Sequence, residues 1–100
     1  MVKHIILWKL KEDLSDSQKT EAKKNIKEKL EILQGRIPGL LSMHIRTECL
    51  DSSSADLMMD SEFEDEVALK GYQSNPEHLA VANTIVRPNV EIRLSMDYEI

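Results

Sequence analysis

A chain of 100 residues is the length of one domain built on one core. Its net charge of −5 argues against nucleic acid, whose binding needs a basic patch to displace counterions, so no nucleic-acid partner is expected. With Trp8, Phe63, Tyr72 and Tyr98 as its only aromatics, the interior must be mostly Leu, Ile, Val and Met.

VKHIILWKL (residues 2–10) reads as a strand, with Val2, His4, Ile6, Trp8 and Leu10 on one face and Ile5 and Leu7 on the other. A strand with one wet face alternates apolar and polar residues. Here the centre is apolar on both sides, which predicts that both faces are covered, one by helices and one by a second subunit. Ser15-Asp16-Ser17-Gln18 has the capping-box form and starts a helix to about Gln34. Ala22, Ile26, Leu30 and Leu33 form its apolar stripe, with Lys19, Lys23, Lys27 and Glu31 on a neighbouring wet face. Gly35 suits the left-handed position after the helix, and Pro38-Gly39 a tight turn.

LLSMHIRTE (40–48) is the second predicted strand, with Leu41, Met43 and Ile45 sharing a face and His44 turned to the surface or a subunit seam. After the polar turn DSSS (51–54), residues 55–63 form a third strand carrying Leu57, Met59 and Phe63. A helix over residues 65–73 has Val67, Leu69 and Tyr72 as apolar members. Asn75 caps a second short helix with Pro76 at its first position. Val90, Ile92, Leu94, Met96 and Tyr98 alternate in a last strand. The order β-α-β-β-α-β is the split βαβ of a ferredoxin-like α+β sandwich with a four-stranded antiparallel sheet, in a single domain over residues 1–100.

Charge is uneven along the chain. Residues 1–36 carry nine Lys/Arg against six Asp/Glu, and residues 37–100 carry four against twelve. Cys49 is alone, so no intrachain disulfide can form and a reducing compartment is expected. The chain enters a strand at once, without the pattern of a signal peptide. No apolar run approaches the roughly 20 residues of a membrane span. The cytoplasm is the expected location, with no membrane partner.

VKHIILWKLKEDLS at the start, IPGL (37–40), FEDEVALKGYQSNPEH (63–78) and the closing MDY (96–98) together resemble the stress-responsive A/B barrel domain, Dabb. The resemblance spans essentially the whole chain, and the Phe-Glu-Asp…Tyr…Asn-Pro-Glu-His run is its most specific part. It implies a dimeric α+β barrel: a homodimer joined through the sheet faces carrying Ile5, Leu7 and Met58. It also implies a cavity in each subunit lined by His4, Ile6, Trp8, Leu57 and Met59. The family includes proteins described only as stress-responsive and a plant polyketide cyclase that closes a ring by aldol condensation. Similarity to that cyclase puts its Tyr and His on Tyr72 and His78, and its strand-one His on His4. A further polar His falls on Leu57, and aromatics walling an alkyl pocket fall on Ala22 and Ile26.

Those residues suit cofactor-free acid–base chemistry. A histidine such as His78 can take a proton from a carbon beside a carbonyl. Tyr72 can donate to the enolate oxygen that develops, and His4 can polarise a second carbonyl or orient a carboxylate. The spacing of His, Cys and acidic residues matches no metal motif, and no Gly-rich phosphate loop is present, so neither metal nor cofactor is expected. Two functions follow: a small cyclase, isomerase or lyase acting on an apolar carbonyl compound, or a non-enzymatic stress-responsive or small-molecule-binding dimer. The second would fill its cavity with adaptable side chains such as its five Met residues.

Overall fold

Branched and aromatic residues fit a pleated surface, and Val2–Leu10 forms strand β1. The computed structural model describes all of residues 1–100. Val2, His4, Ile6, Trp8 and Leu10 are buried on one side of β1, while Leu7 on the other side is 38% exposed. Helix α1 (Asp16–Glu31) starts at the expected box: the Gln18 N–H donates to Ser15 Oγ at 3.1 Å, and the Ser15 N–H donates to Gln18 Oε1 at 2.8 Å. The helix stops at Glu31 rather than Gln34. Leu33 and Gln34 donate instead to the carbonyls of Leu30 and Glu31, three residues back, so the last turns tighten out of α geometry. Ala22, Ile26, Leu30 and Leu33 are all buried, as their spacing requires.

Three more strands, β2 (Leu40–Arg46), β3 (Leu57–Phe63) and β4 (Val90–Glu99), complete an antiparallel sheet in the order β2-β3-β1-β4. Helices α2 (Glu66–Ser74) and α3 (Pro76–Val81) make the second crossover. This is the ferredoxin-like βαββαβ fold. Strand β2 ends at Arg46 instead of Glu48, and Leu40 rather than Leu41 joins Met43 and Ile45 in the core. The pairing register slips between Leu40 and Ser42, which turns Leu41 outward. Strand β3 begins at Leu57, two residues late, because Asp56 is spent on a clasp: its N–H donates to the Trp8 carbonyl and its carboxylate accepts the Leu10 N–H, each at 2.8 Å. Val67 is 77% exposed and does not share the apolar face of α2. At about 100° per residue it lies some 200° around the helix from Leu69, which is buried with Tyr72.

Strand β2 is an edge, and side chains of α1 and of the turn after it satisfy its backbone. Glu31 accepts the Ile45 N–H at 2.9 Å, Lys27 donates to the Ile45 carbonyl at 2.9 Å, and Gln34 bonds Met43 N–H and Leu41 C=O. Lys27 and Glu31 therefore do more than line a wet face; they occupy hydrogen-bonding groups that an edge strand otherwise offers to other chains.

The IPGL segment owes its glycine to two constraints at once. Gly39 has φ +79°, and a Cβ placed there would lie 2.4 Å from the Cβ of Ala68 on α2. Its carbonyl also accepts the Glu64 N–H at 2.9 Å, tying the turn to the entry of α2. Gly35 has φ +87° but open space around the missing Cβ. Gly35→Ala should therefore lose about 1–2 kcal/mol from backbone strain alone. Gly39→Ala should lose about 2–5 kcal/mol, because about 1–3 kcal/mol of overpacking adds to that strain. Urea denaturation of both variants checks this; equal losses would remove the contact with Ala68 as a cause.

Candidate functional site

The break between α2 and α3 decides where the site's rings lie. Asn75 accepts the Glu77 N–H through Oδ1 at 2.9 Å and Pro76 opens α3, so the chain turns without unravelling. The turn brings the rings of Tyr72 and His78 together with centroids 4.0 Å apart and planes inclined by 31°. Tyr72 also packs on Phe63 at 5.1 Å and edge-on to His4 at 6.2 Å. These three sequence-predicted residues, His4, Tyr72 and His78, therefore meet at one place between the sheet and α2–α3.

They line a cavity of about 300 Å³, at the small end of ligand sites. Ile6, Trp8 and Met59 line it too, as expected. Ile26 and Leu57 do not. Both are fully enclosed core residues, Ile26 under α1 and Leu57 in β3 where that strand meets Trp8. The remaining wall comes from Leu30, Gln73 and the segment after α3, where Leu79, Ala82 and Val86 close one side. That segment widens into a π-turn at Ala82–Val86 and then tightens to a 3₁₀ turn at Arg87–Asn89, which carries Arg87 to the cavity. Single π-turns recur at functional sites.

His4 is held from both flanking strands. Its Nδ1 pairs with the Asp97 carboxylate on β4, its direct cross-strand neighbour, and its backbone carbonyl accepts the hydroxyl of buried Ser61 on β3 at 2.7 Å. Sequence reasoning missed Asp97, Arg93, Arg87 and Gln73 as members of the site or its supports. The signal for Asp97 and Arg93 was the alternation of β4, which puts its apolar residues on one face and so Arg93, Ser95 and Asp97 on the other.

Burial governs the chemistry of the other two groups. It pushes the Tyr72 phenol well above its ordinary value of 10, against a smaller pull from the Arg93 guanidinium. The Tyr72 hydroxyl finds only the Met59 sulfur, at 3.9 Å, a weak acceptor. Burial pushes the His78 imidazole below its ordinary value, and His4 and Arg87 push the same way; the backbone of Gln73 and Tyr72 opposes them. Two buried side-chain nitrogens in the whole chain lack a protein partner, His78 Nδ1 and Trp8 Nε1, and both residues line this cavity. Three or more His, Cys, Asp or Glu side chains nowhere converge as a metal site.

In the unfolded chain His78 regains a value near 6.5, so below that pH the unfolded state holds the extra proton. The stability that neutral, half-buried His78 contributes is complete above that pH and is lost as pH falls through the folded value. Urea midpoints measured from about pH 8 to about pH 5 should fall more steeply for the wild type than for His78→Gln. Parallel curves would show that His78 is not buried in its neutral form.

The model of the stress responsive A/B barrel domain matches residues 2–100. A dimeric protein of unknown function with a ferredoxin-like fold from Bacteroides fragilis NCTC 9343 is 30% identical, with a TM-score of 0.91 over 99% of this chain and 95% of that one. The Arabidopsis thaliana protein At3g17210 is 23% identical, with a TM-score of 0.75 over 100% of this chain and 95% of that one. A hydroxynitrile lyase from Passiflora edulis is 19% identical and shares the fold, with a TM-score of 0.73 over 99% and 92% of the two chains. No curated protein matches the chain. With a family model spanning residues 2–100 and a relative of this identity along almost its full length, the chain belongs to the stress responsive A/B barrel domain family, Dabb.

Proposed function

We propose that this protein is a cofactor-independent acid–base catalyst acting on a small carbonyl compound bound between His4, Tyr72 and His78. The observation that carries the proposal is the state of the two stacked rings: burial leaves His78 a free base and Tyr72 a protonated donor on the wall of one cavity. His78 takes a proton from the carbon beside the carbonyl. As that C–H bond breaks, its electron pair moves into the C–C bond and charge collects on the oxygen, where the Tyr72 hydroxyl donates. His4, oriented by Asp97, presents its remaining ring nitrogen as a further polar contact for the substrate. From that enolate the proton returns to a different carbon or face, giving an isomerase; a second carbonyl captures the carbanion, giving a cyclase; or the carbonyl re-forms as the C–C pair expels a leaving group from the β-carbon with its bonding electrons, giving a lyase. A hydroxynitrile lyase built on this fold is compatible with the proposal, although fold alone is a poor guide to reaction.

The working unit in this reading is a homodimer in the cytoplasm, where exposed, unpaired Cys49 stays reduced. The sheet face away from the helices carries Ile5, Leu7 and Met58, joined by Ile92, Leu94, Met96 and Tyr98 of β4. Leu94 and Met96 are 63% and 66% exposed in the single chain, an apolar surface of the kind that closes against another protein. Several solved relatives are described as dimeric, which supports a second copy as the cover.

Exchange of α-protons into D₂O, followed by NMR on 4-phenyl-2-butanone and 4-phenyl-2-oxobutanoate, tests the chemistry. Wild-type protein should accelerate exchange on at least one of them, His78→Ala should lose about 10²–10⁴-fold, and Tyr72→Phe about 10²-fold or more. Probes that bind without exchanging would instead make the protein a small-molecule-binding dimer. Sedimentation should give a dimer for the wild type and a monomer for Leu94→Glu; a monomeric wild type at tens of micromolar, roughly, would remove the sheet-face interface.

A further inference from the structure

We propose that Arg93 and Arg87 make the cavity selective for carbonyl compounds that carry a carboxylate, an inference that rests on the acid–base site proposed above. The chain has eighteen Asp and Glu against thirteen Lys and Arg, and only four of those cations lie in residues 37–100. Two of the four, Arg87 and Arg93, line this one cavity, whereas no Asp or Glu lines it. In an acidic protein that is a local inversion of charge. A neighbouring hollow, which shares Gln73 with the cavity, shows the ordinary pattern, with Glu66, Asp97, Glu99 and Lys70 among its lining residues.

The two guanidiniums are also free to bind. Arg93 stands on β4 directly opposite Trp8, on the helix side of the sheet, and makes no ion pair or side-chain hydrogen bond within the chain. Arg87 donates to Asn83 Oδ1 at 2.6 Å, a neutral acceptor that steadies one nitrogen and leaves the rest of its five N–H groups available. Both residues are exposed, and they reach the site from different elements, one from the sheet and one from the 3₁₀ turn. Their charge is felt at the reacting groups: Arg93 acts on Tyr72, and Arg87 acts on His78. Guanidinium forks match planar carboxylates with two parallel hydrogen bonds. A ligand seated with its apolar body against Ile6, Trp8 and Met59 would leave a carboxylate at this rim and its carbonyl near Tyr72.

The test is an NMR titration of the ¹⁵N-labelled protein with 4-phenyl-2-oxobutanoate and, separately, its uncharged methyl ester. The acid should bind about tenfold or more tightly than the ester at low salt, and raising the salt should weaken the acid alone. In the double variant Arg87→Gln, Arg93→Leu the ratio of acid to ester affinity should fall to about one. Equal binding of acid and ester by the wild type, or a preference that survives the double variant, overturns the arginine assignment and leaves the acid–base site standing. Failure of both probes to bind overturns the assignment together with the cavity reading beneath it.

Discussion

A four-stranded sheet has two faces, and in this chain one layer of helices covers only one of them. Everything else is arranged around that inequality. Strand β1 sits in the middle of the sheet and is apolar on both sides at its centre, so its helix side builds the core while Ile5 and Leu7 wait for a different cover. Strand β4 makes the same choice more sharply. Val90 packs against the core beside Leu10, but beyond the register shift the apolar residues Ile92, Leu94, Met96 and Tyr98 all point away from the helices, and the side turned toward them carries Arg93, Ser95, Asp97 and Glu99. A strand with that pattern gains little by packing on α2 or α3; its hydrophobic stabilisation must come from the opposite face.

The polar side of β4 is therefore available for the site, and register puts it to use. His4 occurs on a face of β1 that is otherwise apolar, where an unpaired imidazole would be costly. Asp97, its cross-strand partner on β4, pairs with the ring Nδ1, while Ser61, its partner on β3, donates to the His4 backbone carbonyl and fixes the strand beneath the ring. Arg93 follows four residues earlier on the same strand face, beside Trp8. One strand thus supplies Arg93 to the cavity and Asp97 to His4 with the same periodicity that supplies its outer apolar face.

Local signals carried the fold far. The capping box, the helical stripe on α1, the Asn-Pro start of α3 and the alternation of β1 and β4 each depend on neighbours within a few residues, and each is visible in the chain. Val67 and Leu41 failed for equally local reasons that the pattern hid, a helical angle and a slipped register. The site was half legible. Tyr72 and His78 lie within one turn's reach in sequence, and resemblance to a known family placed His4 beside them. Asp97 is 93 residues from His4, and only strand order and register join them. Ile26 and Leu57 were expected at the cavity because a homologous position can be walled by a side chain that here is simply core; which apolar residue touches a void and which touches another side chain is decided by packing, beyond the reach of periodicity.

The same packing sets the chemistry. Desolvation disfavours whichever form of a group is charged, so it acts in opposite directions on an acid and on a base. Fully buried Tyr72 is driven to keep its proton and half-buried His78 to lose one, although the two rings are in contact. No specific charge is needed to create this pair of a neutral donor and a neutral acceptor; a dry wall suffices. Charges then matter for what is admitted. The Arg93 guanidinium opposes the rise at Tyr72, and Arg87 adds the smallest contribution to the fall at His78; in the selectivity proposed above the same two cations at the rim attract an anionic ligand. A bound carboxylate would neutralise that rim and raise the proton affinity of His78, strengthening the base only once the ligand is in place. Under that proposal, occupancy and the basicity of His78 are coupled through Arg87.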